Sequence, residues 1–225
     1  MTAASAPRRR DFSGINLGRV SSSRAVWDQV YRERSSTNVS WYEASPVTSI
    51  RLVVAVSRRD SSVIDVGGGA SYLVESLAEL GYHDLSVLDI SDTALSEVRA
   101  RMETRRATFS FLVADVTEWS PQRQYDVWHD RAVFHFMVTA EAREAYLSAM
   151  RSAVAPGDHV ILATFAEDGP EHCSGLPVQR YSVDELVSVA GTSFVLESSE
   201  REVHATPWGS RQPFNWVVMT RIPTA

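Results

Sequence analysis

Lysine is missing from this chain: all 22 basic residues are arginine, which reads as codon bias rather than a demand for guanidinium. A single cysteine, Cys173, excludes an intramolecular disulfide. No apolar run approaches the ~18 residues that a membrane span needs. The opening "MTAASAPRRRDFSG" is polar and has no hydrophobic core of a secretory signal, so a cytoplasmic location is expected. Acids outnumber bases, 28 to 22, and a formal net charge of −6 argues against a nucleic-acid partner. His172 and Cys173 are adjacent, but no second cysteine exists and His204 alone completes no ligand set, so no metal is expected.

What is present fits one soluble domain. The 225 residues allow one sizeable core and are too few for two ordinary domains. Residues 1–23, rich in Ala, Ser, Pro and Gly with an arginine triplet, read as a disordered leader. Residues 24–225 read as a single domain, with residues 24–58 as two lid helices and residues 59–225 as the core. From Ser62 onward, short apolar runs alternate with amphipathic stretches, and the last two segments, "FVLESSEREVHA" and "FNWVVMTRI", read as an antiparallel pair. The expected fold is α/β: a mostly parallel sheet with helices on both faces and a ligand beyond the carboxyl ends of the strands. One helix is expected over residues 140–154, ending at Pro156-Gly157 before a strand at "HVILATFA".

The stretch "VIDVGGGAS" carries the first motif. A buried strand that must turn at once into a helix needs glycine, both for the turn and for close approach of a ligand. Gly67, Gly68 and Gly69 supply it. The dinucleotide pattern G-x-G-x-x-G fails, because Tyr72 stands at its sixth position. Asp65 inside the strand end suits a cationic group such as an α-ammonium. Asp89, in "VLDIS", is placed to accept from a ribose diol, with Ile90 beside it. Asp115, in "VADVTEW", can accept from an exocyclic adenine amine while the Val116 backbone N–H donates to a ring nitrogen.

The ordered set "VIDVGGGAS", "LSVLDIS", "FLVADVTEW" and "YDVWHDRAVFHF" resembles the class I S-adenosylmethionine-dependent methyltransferases, over residues from about 24 to the end. The resemblance implies a Rossmann-like seven-stranded sheet with a reversed last strand, S-adenosylmethionine as cofactor, and methyl transfer to an O, N or S atom of a small molecule. Ser71 stands where the family often has a further glycine. The same resemblance implies that "WHDRAVFHF" lies beside the transferable methyl. His129 is then a candidate base or a wall of the donor pocket, Asp130 an orienting group or an ion-pair partner of Arg131, and Arg131 a third member. Tyr31 and Trp41, on the lid, are candidate donor contacts through cation–π attraction. The long loop "FAEDGPEHCSGLPVQRYS" and the C-terminal hairpin offer Glu167, His172, Arg180 and His204 to an acceptor. Two other readings stay open: a protein lysine methyltransferase, whose acidic cleft would hold Glu167, Asp168 and Glu171, and a non-catalytic S-adenosylmethionine-binding protein.

Overall fold

The computed structural model describes residues 24–33, 37–103 and 108–223; the leader expected at residues 1–23 lies outside them. Two helices come first, α1 (Arg24–Glu33) and α2 (Val47–Val56). Then β1 (Ser62–Val66), α3 (Leu73–Glu79), β2 (Asp84–Asp89), α4 (Asp92–Met102), β3 (Thr108–Val113) and β4 (Tyr125–Arg131) alternate. A 3-10 turn (Phe134–Phe136) leads into α5 (Ala140–Ala153) and β5 (Val154–Phe165). The small ladder β6 (His172–Cys173) and β7 (Leu176–Pro177), helix α6 (Val183–Ala190) and the long strands β8 (Phe194–Ala205) and β9 (Arg211–Arg221) complete the order.

The seven-stranded sheet runs β3-β2-β1-β4-β5-β9-β8. Strands β1 to β5 are parallel neighbours, and β9 inserts antiparallel between β5 and β8. This is the expected Rossmann-like, seven-stranded, mostly parallel sheet with an antiparallel C-terminal strand pair. Chain order reverses direction at β1, so β2 and β4 flank it, and the crevice that this opens lies at the carboxyl ends of β1, β2 and β4. All five residues of β1 are buried, as a central parallel strand requires.

The helix starts are chemically marked. Ser91 accepts the Ala94 N–H at the head of α4, and Ser182 and Glu185 form a reciprocal capping box on α6. One boundary differs from expectation. Strand β5 begins at Val154, directly after α5, because Val154 pairs with Tyr125 before the register slips and resumes at His159 opposite Val127. Pro156-Gly157 therefore sits in a bulge, where a proline costs no ladder bond, rather than in a turn between helix and strand.

Strand alternation sorts the β4 side chains. Trp128 and Asp130 point to α5, where both bond the Tyr146 hydroxyl. His129 and Arg131 point the other way, to α2 and the segment after α1.

Candidate active site

Two adjoining hollows open at the carboxyl ends of β1, β2 and β4, and they share Trp41, Val66, Gly67 and Arg131. The first, about 750 Å³ counted with its mouth, has Asp89, Ile90, Asp115 and Val116 along one side. Trp27, Tyr31, Trp41, Phe136, Met137 and Cys173 close it on the other. The second, about 570 Å³, is walled by Asp65, Gly67, Gly68, Ser71, Tyr72, Ser49 and His129.

The glycines make room in three different ways. Gly67 has φ +68°, and a Cβ there would fall 1.9 Å from a Val133 methyl. At Gly68 a Cβ would fall 2.5 Å from Asp65 Oδ2, so its bare Cα leaves space for that carboxylate. At Gly69, with φ +41°, a Cβ would fall 2.6 Å from the Tyr31 hydroxyl. Gly69 lines neither hollow; its backbone N–H donates to Asp89.

The acids are differently held. Asp89 is buried, and that burial pushes its carboxyl up to about 7 against the hydrogen bonds from Ser91 and Gly69, with the nearby Asp65 charge adding to the rise. Its Oδ1 accepts the Ser91 N–H at 2.7 Å. Asp115 Oδ1 accepts the Thr117 N–H and hydroxyl at 2.9 and 2.7 Å, an Asx-type turn that fixes the loop after β3. Asp65 Oδ1 meets His129 Nδ1 at 2.8 Å, and its Oδ2 is buried without a hydrogen-bond partner among the described residues.

Trp27, Tyr31 and Trp41 of the N-terminal segment cover this side. Trp27 packs edge-on against Trp41 and Phe136, with ring centroids 5.9 and 5.2 Å apart. The segment after α1 is fastened from below: Arg131 donates to the Trp41 carbonyl (3.2 Å) and to Glu43 (3.0 Å), and His204 Nε2 lies 2.8 Å from the Ser40 carbonyl. Burial opposes the charge on Glu43, yet His204 and Arg131 hold its carboxyl below the ordinary range. Tyr31 is buried, and desolvation and the Asp89 charge push its hydroxyl up, so it stays a neutral phenol.

Several expectations are corrected here. His129 is no free base, since both ring nitrogens are engaged, Nε2 by Ser49 Oγ at 2.9 Å. Asp130 neither orients His129 nor pairs with Arg131. It is fully buried and accepts from Val133 N, Phe134 N and Tyr146 Oη, which shapes the turn after β4. Glu167 and Arg180 border a separate polar depression with Glu171 and Glu185. Asp168 of the expected acidic cleft is paired with Arg201 instead. His172 is exposed on β6 and lines neither hollow, and His204 faces Ser40 and Glu43 rather than an acceptor. Among the described residues no group of three or more His, Cys, Asp or Glu could hold a metal. Sequence reasoning missed Met137, and it placed Val133 and Phe136 only within the segment after β4 and Cys173 only within the loop after β5. Cys173 is the side-chain neighbour of His172 with the opposite, inward orientation, as strand alternation demands.

Residues 63–157 match the protein family described as a methyltransferase domain. The eEF1A lysine and N-terminal methyltransferase of Mus musculus is 27% identical over 116 residues, which is 51% of this chain; the aligned part spans 16% of that relative's length. A solved structure concerned with the conversion of a disulfide bond into a thioacetal group during echinomycin biosynthesis superposes with a TM-score of 0.72 at 22% identity, over 90% of this chain and 94% of its own. The 1,6-didemethyltoxoflavin-N1-methyltransferase of Burkholderia thailandensis, with bound 1,6-didemethyltoxoflavin and S-adenosylhomocysteine, superposes with a TM-score of 0.66 at 16% identity, over 98% and 94%. These two structures share the fold.

The residues present fit an adenosyl sulfonium donor. A ligand of that kind carries a diol, an amino-substituted ring and a cationic tail, and the hollows hold acids at Asp89, Asp115 and Asp65, with an orphaned oxygen on the last. Residues 63–157 thus match a methyltransferase domain, set in a fold shared with S-adenosylmethionine-dependent methyltransferases, and the site fits S-adenosylmethionine as its cofactor.

Proposed function

We propose that the protein transfers the methyl group of S-adenosylmethionine to an O, N or S atom of a small-molecule acceptor. The observation that carries this is the aromatic chamber formed by Trp27, Trp41, Phe136 and Met137, continuous with the acid-lined side that suits the nucleoside. Asp89 would hold the ribose diol, with Ile90 packed beside it. Asp115 and the Val116 backbone would take the adenine edge, and Asp65 with the Gly67-Gly68 turn the amino-acid tail. Tyr31 and Trp41 would cover the sulfonium side through their ring faces.

The donor supplies a methyl group that is already activated, so this chain's contribution is alignment and exclusion of water. Every histidine is accounted for. His129 and His204 are bonded on the protein, and His135 is buried, with burial pushing it down to about 3. His83, His159 and His172 line neither hollow. Cys173 is pushed up to about 11 by burial. Apart from Asp89, which the ribose of the donor would occupy, no histidine or thiolate among the described residues is placed as a base in the chamber, which favours an acceptor with an available lone pair or an acidic proton of its own, such as a thiol or an aromatic nitrogen.

A lysine side chain would need an acidic approach, and Glu167 and Glu171 border a depression apart from the chamber. This favours the small-molecule reading over a protein acceptor. Incubation of the protein with methyl-labelled donor and cell extract, followed by size separation, tests it. Label below about 1 kDa supports the proposal. Label in macromolecules transfers the reading to a protein acceptor. No label despite tight donor binding points to the non-catalytic alternative.

A further inference from the structure

Ser49, His129 and Asp65 form a buried chain from α2 through β4 to β1. Asp65 and His129 are register partners on adjacent strands, and each side chain is 3% exposed. His129 Nδ1 lies 2.8 Å from Asp65 Oδ1, and Nε2 lies 2.9 Å from Ser49 Oγ. A carboxylate only accepts, so in the neutral ring Nδ1 carries the proton and the Ser49 hydroxyl donates to Nε2; the tautomer is assigned from this network.

Three further observations give the chain a direction. Asp65 Oδ2 has no hydrogen-bond partner among the described residues, and Asp65 is one of the residues that line the second hollow. Gly68 yields the space it occupies, since a Cβ there would fall 2.5 Å from it. Helix α2 is anchored on its far side, where Arg51 pairs with Glu200 of β8 and Thr48 donates to Glu202. The chain thus hangs from a fixed helix and ends on one oriented oxygen. Ser49 is itself buried, with its hydroxyl committed to His129, so it serves as a tether rather than a nucleophile.

We propose that His129 and Ser49 are positioning residues that aim the free oxygen of Asp65 at the α-ammonium of the donor, and so link the seating of α2 to recognition of the donor's amino-acid tail. The proposal rests on the reading of Asp65 given above. A carboxylate with one oxygen tied by a ring in a fixed plane loses little freedom when a cation meets the other oxygen, whereas an untied one must be ordered by the ligand.

The test compares two ligands, S-adenosylhomocysteine and 5′-methylthioadenosine, which share the nucleoside and the thioether and differ in the amino-acid tail. Calorimetry on wild type, Asp65→Asn, His129→Phe, His129→Asn and Ser49→Ala reads the tail's share of affinity. His129→Phe should weaken S-adenosylhomocysteine about 10- to 100-fold and leave 5′-methylthioadenosine within about twofold. His129→Asn, whose amide keeps a donor near the Nδ1 position, should restore most of that loss, and Ser49→Ala should show a smaller loss confined to the tailed ligand. Equal weakening of both ligands in the His129 variants would make the ring a packing residue and overturn the proposal. If Asp65→Asn weakens the tailed ligand while His129→Phe and Ser49→Ala do not, the positioning role fails and the reading of Asp65 survives. If Asp65→Asn spares the tailed ligand, that reading itself falls. Should His129→Phe fail to fold, His129→Asn against Ser49→Ala carries the same comparison.

Discussion

Asp28 of the lid helix α1 and Ser91 at the head of α4 are joined by a hydrogen bond of 2.6 Å, in which the Ser91 hydroxyl donates to Asp28 Oδ1. The same hydroxyl accepts from Ala94 N at 3.2 Å, so one oxygen caps α4 and latches α1. Burial works to raise Asp28, yet hydrogen bonds from Ser91 and Thr93 hold its carboxyl below the usual range. The latch closes two residues from Asp89, at the rim of the first hollow. Asp28→Ala should therefore speed ligand release more than it slows binding. Stopped-flow tryptophan fluorescence with S-adenosylhomocysteine should give an off-rate raised about three- to tenfold, from loss of roughly 1 kcal/mol. An unchanged off-rate would remove the latch from the binding cycle.

Asp89 makes the unliganded protein and its ligand complex respond oppositely to pH. Its carboxyl is raised in the folded protein from an ordinary 3.8 to about 7, first through burial. Its contribution to folding stability is complete below about 3.8 and is lost as pH rises to about 7, above which it is constant. A diol donates to the ionised form, so donor affinity should rise with pH up to about 7, with a proton released on binding below that point. Calorimetry at pH 6 in two buffers of different ionisation enthalpy should detect that release, and at pH 8.5 it should vanish. Identical heats in both buffers at pH 6 would contradict this role.

Gly69 and Tyr31 should be energetically coupled. With φ +41° and the Tyr31 hydroxyl 2.6 Å from a would-be Cβ, Gly69→Ala both strains the backbone and pushes α1 outward. The expected cost to ligand affinity is at least tenfold, with about 1–2 kcal/mol of backbone strain. Tyr31→Phe in the same chain should recover part of the steric share. Additive losses in the double variant would show that the two do not meet.

Asp130 and Tyr146 should matter to stability and not to turnover. The buried carboxylate is raised to about 6 by burial, and the Tyr146 hydroxyl, Val133 N and Phe134 N hold its charge. Tyr146→Phe should cost about 1–3 kcal/mol in denaturant unfolding, because an acceptor is left unpaired. The variant, where folded, should retain wild-type KM for the donor. A selective fall in kcat would return Asp130 to the chemistry.

Cys173 should prove inert although it lines the chamber. Burial raises the thiol to about 11, so little thiolate exists at pH 8. Alkylation by iodoacetamide should be slow in the free protein and slower still with S-adenosylhomocysteine bound. Rapid labelling would mean that the lid opens widely in solution.

That Asp65, Asp89 and Asp115 come together at the two hollows was legible because they stand at the ends of apolar runs, and a parallel sheet brings strand ends together. Asp65, Asp89 and Asp115 follow from position alone. Of the two readings of His129, base and pocket wall, it lines the second hollow, and the bonds that tie its ring were not legible because its partners, Ser49 and Asp65, lie 80 and 64 residues away in sequence, and pairing across such distances depends on register. Met137 was missed for another reason, and Phe136 was covered only as the end of the segment after β4. They sit in a short 3-10 turn with no periodicity, and the Asp130 bonds that bend the chain there are tertiary. The loop after β5 was expected to form the acceptor pocket from its charged residues, but those turn outward and its apolar Cys173 turns in.

Strand β9 lies between β5 and β8, though it is made after both. During synthesis, β8 has no neighbour to pair with until residues 211–221 have left the ribosome, and the exposed edge of β5 must wait equally long. The sheet is therefore zipped shut by one late insertion that pairs on both sides at once. A chain held before that point would keep β1 to β5 with the edge of β5 unpaired, open to any other strand until β9 takes its place.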